Sequence, residues 1–161
     1  MLTMNLLQQA ILDFLNQFVA DGKALAGVKV KLAPTRPQRP EEIGIVNDTL
    51  LIWVEPSDQP FSDQSGYSPV RNVNVTLFAC SKAPRGDWAR TRCLQVGDLA
   101  ERVIWIGDES LQNLQNYLDS LAVNVDESPS LVKYKSQVEY DGWYADFAAA
   151  AFEFTITVLK G

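Results

Sequence analysis

The chain of 161 residues contains no histidine. That removes the Ser-His-Asp and Cys-His arrangements of nucleophilic catalysis and every histidine-based zinc site. Its two cysteines, Cys80 and Cys93, stand thirteen positions apart without a Cys-x-x-Cys pair, which is not the spacing of a structural zinc site. Phosphate-cradling glycine loops are missing too: Gly66, Gly86 and Gly97 stand singly, outside any GxGxxG or GxxxxGKS/T pattern. Carboxylates do come in pairs, at Glu41-Glu42, Asp108-Glu109 and Asp126-Glu127. All three lie near expected loops or helix starts and read as solvated caps rather than as acid/base pairs, which need a pocket and a perturbed pKa. No EF-hand spacing is present. The expectation is a protein that is not an enzyme and has no catalytic, metal or cofactor-binding set.

Aromatic and charged residues are the better candidates for function. Trp53, Trp105, Phe152 and Phe154 lie in apolar patterns and read as core. Phe61, Tyr67, Trp88, Trp143 and Tyr144 fall in expected loops or at element ends. Aromatics so placed serve either as interface anchors or as caps on the ends of the core, and both readings stand. Charge is arranged in blocks. Residues 23–39 carry five bases and no acid, and residues 41–63 carry six acids and no base. Lys82, Arg85, Arg90 and Arg92 outweigh Asp87, and residues 108–127 are acidic only. Such blocks are ordinary solvated faces, and they also suit a head-to-tail contact between copies. The candidate interaction residues are therefore Asp58, Phe61, Tyr67, Lys82, Arg85, Trp88, Arg90, Trp143 and Tyr144.

The elements that must position them follow from periodicity. Residues 5–19 form an amphipathic helix, with Leu7, Ile11, Phe14 and Phe18 on one stripe and Asp21-Gly22 as the stop. Val28, Val30 and Leu32 alternate with lysines in a short strand, and Pro34, Pro37 and Pro40 then break regular structure. Residues 49–54 are nearly all apolar and predict a central strand covered on both faces and ended by Pro56. Residues 57–69 are expected to be a loop. A second strand over 70–81 carries Val73, Val75, Leu77 and Ala79 on one face, with Asn72, Asn74 and Thr76 on the other. Asp87 is the expected cap of a helix ending near Ile104, and Asp108 or Ser110 the cap of another carrying Leu111, Leu114, Leu118 and Leu121. After a loop over 124–130 come strands over 131–140 and 147–159. In the last, Ala148, Ala150, Phe152, Phe154, Ile156 and Val158 alternate with Glu153, Thr155 and Thr157, the period of a half-buried antiparallel strand. The order helix, three strands, two helices, two strands predicts one α+β domain over 1–161: a mainly antiparallel sheet with helices packed on one face.

Composition agrees. The chain has one domain's length, 47% apolar residues and a formal charge of -6. A net acidic domain repels phosphates, so neither direct nucleic-acid recognition nor an anionic membrane is an expected partner. The start Met1-Leu2-Thr3-Met4 has no basic region and no long apolar region of a secretory signal. The expectation is therefore synthesis in a reducing cytoplasm with Cys80 and Cys93 as free, small core residues; a disulfide between them is the less favoured alternative.

The pattern resembles the small tail-completion proteins of tailed bacteriophages, the tail terminator family, including its members in Mu-like contractile tails. It does so through the helix over 5–19, the strand over 72–80 with the following loop over 81–86, and the long helix over 89–104. The stretch 138–144 and the closing strand over 152–158 complete the likeness. The resemblance covers most of the chain at the level of pattern, without a signature motif. It implies a homo-hexameric ring at the head-proximal end of a tail, in a virion assembled in the host bacterial cytoplasm. Implied partners are further copies of the chain, the tail tube protein, a neck or connector protein and, in contractile tails, the sheath. It carries no catalytic residues and no cofactor.

Overall fold

The computed structural model describes residues 2–33, 48–62, 70–82, 86–108, 111–124, 127–139 and 147–160. Eight principal elements follow the expected order: α1 Met4–Asn16, β1 Lys29–Leu32, β2 Thr49–Ser62, β3 Val70–Lys82, α2 Gly86–Trp105, α3 Leu114–Leu121, β4 Glu127–Glu139 and β5 Phe147–Lys160. The five strands form one sheet in the order β1-β2-β3-β5-β4. The β1–β2 pair is parallel and the other three are antiparallel. The last strand of the chain thus runs through the interior of the sheet, between β3 and β4.

α1 begins where Thr3 takes an extended conformation and its hydroxyl accepts from the Leu6 N–H at 3.1 Å. It buries Leu7, Ala10, Ile11, Phe14 and Leu15, a stripe at i, i+3, i+4, i+7 and i+8. The helix stops at Asn16, earlier than its periodicity suggests, and Phe18 joins the core from the turn that follows. Its ring meets Phe14 edge-on at 5.1 Å. α2 and α3 complete the layer, and their apolar residues share one cluster with Leu50, Ile52 and Val54 of β2 and with Val73, Val75, Leu77 and Ala79 of β3. The even-numbered residues 148–158 of β5 close that cluster from below.

Gly97 explains how closely α2 lies on the sheet. A methyl group placed there would sit 2.0 Å from ring carbons of Phe152. Glycine costs a helix interior about 1 kcal/mol relative to alanine, and here it makes room for an aromatic ring. At the far end, Gly107 takes a left-handed φ of 84° and ends α2. Asp108 and Leu111 then bond to each other through their backbones, so a helix cannot start at Asp108 as expected. Asn113 is the cap instead. Its side chain accepts from the Asn116 N–H at 2.9 Å and donates to the Trp105 carbonyl at 3.3 Å, tying the start of α3 to the end of α2. Leu111 precedes the helix and Leu121 is half exposed, so the expected four-leucine stripe narrows to Leu114 and Leu118. Ser110 lies outside the described residues. Asp87 falls inside the first turn of α2 rather than at its cap.

Two strands run past their expected limits. β2 continues through Pro56 to Ser62, with a register shift between Pro56 and Phe61. The Ile52 carbonyl accepts from Ala33 on the β1 side, so by two-residue alternation the Pro56 nitrogen also faces away from β3. β1 pairs only with Thr49 to Ile52, so among the described residues Pro56 lies on an edge and no ladder donor is lost. β4 begins at Glu127, inside the expected loop, after a short 3-10 turn over Ala122–Asn124.

The face away from the helices divides in two. Near the Lys82 end, Leu51, Phe78, Cys80, Ala149 and Ala151 form a second buried apolar cluster, as a strand covered on both faces requires. Farther along, the face turns polar. Thr155 donates to the Asn74 side chain and Thr157 to that of Asn72, each at 3.0 Å and each from directly opposite.

Replacing Gly97 with alanine is expected to lower unfolding stability by about 1–3 kcal/mol despite the better helix propensity, because the methyl overpacks Phe152. Urea denaturation of G97A, and of G97A with Phe152→Leu, checks this; the second change should recover part of the loss.

Candidate functional site

The sheet sorts the candidate interaction residues by end. Lys82 closes β3 and is exposed, and Trp88 and Arg90 are exposed in the first turns of α2. Asp58 and Phe61 lie in β2 rather than in a loop, and Phe61 stands opposite Arg71. Arg71 and Lys82 are near opposite ends of β3, a separation of roughly 35 Å at ~3.3 Å per residue. The five described candidates therefore form two groups, not one patch. Tyr67, Arg85, Trp143 and Tyr144 lie outside the described residues.

At the Arg71 end a three-part clasp holds the start of the chain. Glu127 accepts from the Leu2 N–H at 2.8 Å, and the Arg71 guanidinium donates to the Leu2 carbonyl. The Arg71 and Glu127 side chains face each other at 3.7 Å and are largely buried. Glu127 is thus not a solvated loop carboxylate, and its partners, far away in sequence, gave no local signal. At the other end Asp48 meets Arg92 at 2.5 Å, joining the start of β2 to α2. Part of the blockwise charge is consumed inside the domain in this way, and Trp53 donates to Glu55 at 2.9 Å in the same acidic block.

An open groove of about 610 Å³ lies between the α1–β1 connection and the last turns of α2. Leu99, Val103 and Ile106 line it together with Lys23, Arg102 and Asp108. Ile106 is 72% exposed, which makes it the second most exposed large apolar side chain among those described. None of these residues was a candidate from sequence. The available signal was an apolar residue placed directly before the helix-ending Gly107.

No protein-family model matches the chain, and no curated protein does either. The chemistry must therefore be read from the residues themselves. Among the described residues, no group of three or more His, Cys, Asp or Glu could hold a metal ion, and no helix is long and apolar enough to cross a membrane. Cys80 and Cys93 are both buried and are not joined in a disulfide, as core thiols should be. Burial, reinforced by Cys93 and opposed by Lys31, pushes the Cys80 thiol up to about 12. It stays protonated at neutral pH and is a poor nucleophile.

Two measurements follow. Glu127→Gln removes the carboxylate from the clasp and should cost about 1.5–3 kcal/mol of stability, the range for hydrogen bonds to charged groups, with faster exchange of the Leu2 amide. Cys80 loses its proton more easily unfolded than folded, so its contribution is whole below about pH 8.5 and falls as pH rises toward 12. Between pH 8 and pH 10 wild type should lose about 1–2 kcal/mol more than Cys80→Ala in urea denaturation.

Proposed function

We propose that this chain is a structural virion protein, a tail terminator that acts as a homo-hexameric ring. In this reading the ring caps the head-proximal end of a phage tail tube, ends its polymerisation and gives the neck a surface to join. The observation that carries the reading is the division of the described candidates between two ends of one long sheet. A ring that stops a tube needs a face that accepts the tube and a different face that does not. Asp58 and Phe61 belong to one end, and Lys82, Trp88 and Arg90 to the other. The bulged far part of β2 and the start of α2 are separate surfaces, so one can change without the other. The blocks of opposite charge support a heterologous contact between neighbouring copies, the kind that closes rings. The opening helix, β3, the long helix α2 and the closing strand, on which the family resemblance rests, are elements of this fold and support the same reading. In contractile tails the sheath is a further proposed partner.

A head–tail connector or stopper of the neck would use the same two ends, and tail length separates the two roles. Without a terminator, tails grow to uncontrolled length; without a connector, tails of normal length fail to join heads. A small-ligand binding module is the reading favoured by the groove beside Ile106, whose volume falls in the usual range for ligand sites.

Light scattering should give a ring mass, and added protein should cap purified tail tubes in electron micrographs. Trp88→Ala combined with Arg90→Glu should keep the ring mass and lose one axial contact. A stable monomer at high concentration that also leaves tubes uncapped overturns the proposal.

A further inference from the structure

β4 is an edge strand of the sheet. Its outward backbone groups would be a template for strand addition if left open. In this structure a side chain occupies them. Gln115 of α3 donates from Nε2 to the Pro129 carbonyl at 2.8 Å, and its Oε1 accepts from the Leu131 N–H at 2.9 Å. One amide therefore bonds the carbonyl before Ser130 and the N–H after it. That is the pattern a single residue of a parallel neighbouring strand makes. Nε2 also donates to Asp119, one turn along α3, at 2.9 Å. Because a carboxylate only accepts, Asp119 fixes which end of the Gln115 amide faces which backbone group.

We propose that Gln115, oriented by Asp119, is an edge guard that closes the β4 edge to a second copy of this chain. The position is where a guard is needed. Residues 128–132, Ser-Pro-Ser-Leu-Val, are the longest uncharged stretch of β4. Beyond them the sequence places Lys133 and Lys135, and the pairing with β5 shifts register between Val132 and Ser136, both of which discourage strand addition. Within the uncharged stretch Pro129 removes one outward donor, and Gln115 takes the groups on either side of Ser130. The occupant excluded is a second copy because two β4 edges can pair about a two-fold axis, each presenting the same groups to the other. A contact of that kind is separate from the ring proposed above.

Gln115→Ala opens the edge, and Gln115→Ser, whose side chain is too short to reach β4, does the same. Both variants should speed hydrogen exchange of the Leu131 amide at least tenfold. Both should also sediment as species that grow with concentration beyond the wild-type mass, whatever that mass is. Adding Ser130→Lys to Gln115→Ala puts like charges across the new pairing; it should restore the wild-type mass while Leu131 exchange stays fast. Asp119→Ala keeps Gln115 but frees its amide, and should give a smaller change of the same sign; it carries the test if Gln115→Ala fails to fold. Wild-type exchange at Leu131 in these variants overturns the proposal. So does fast exchange with the wild-type mass retained at every concentration.

Discussion

All 13 residues of β3 lie opposite residues of β5 without a break in register, from Val70 against Leu159 to Lys82 against Phe147. Every other feature of the domain depends on this ladder. Because the side-chain period of a strand is two, one register fixes which face each residue of both strands occupies. It sends Val75 and Leu77 under the helices together with Phe152 and Phe154, and it sets Asn72 and Asn74 opposite the threonines that donate to them. A slip of one position would bury the asparagines in the apolar cluster and expose the aromatics. Among the described strands, register shifts fall in the pairs on either side of this ladder, β2 with β3 and β4 with β5.

The helices are then placed by what the ladder presents. α2 crosses β5 closely because Gly97 leaves room for the Phe152 ring, while Trp105 meets Phe154 edge-on at 6.3 Å. α3 packs against the outer strand and lends it Gln115 as a substitute neighbour. α1 reaches both α3, through Phe14 against Tyr117, and the Arg71 end of the sheet, through the Leu2 clasp. A sheet this long presents two well-separated ends, with Asp58 and Phe61 toward one and Lys82, Trp88 and Arg90 toward the other.

The legibility of the site was uneven for physical reasons. Trp88 and Arg90 read as surface residues at an element end, and the exposed start of α2 is where they stand. Asp58 and Phe61 read as loop because Pro56 is a strand breaker in the middle of a sheet; on an edge it breaks nothing. Glu127 read as a solvated carboxylate because its partners, Leu2 and Arg71, come from other parts of the chain. Asp108 read as a cap because aspartate before an apolar stripe usually is one, but the left-handed Gly107 and the turn after it delay α3 until Asn113.

The sequence alone determined the apolar stripes of α1 and α2, the alternation of β3 and β5, the burial of Cys80 and Cys93, and the α+β order of elements. These rest on periodicity and on composition, which act over a few neighbouring residues. Only the tertiary structure decided that, among the described residues, β4 and the part of β2 beyond β1 lie at edges of the sheet, that Gly97 serves Phe152, that Glu127 clasps Leu2 and that Gln115 bonds Leu131. Each joins groups from different elements. Whether a proline, a glycine or a polar amide helps or harms there depends on what the rest of the fold sets against it.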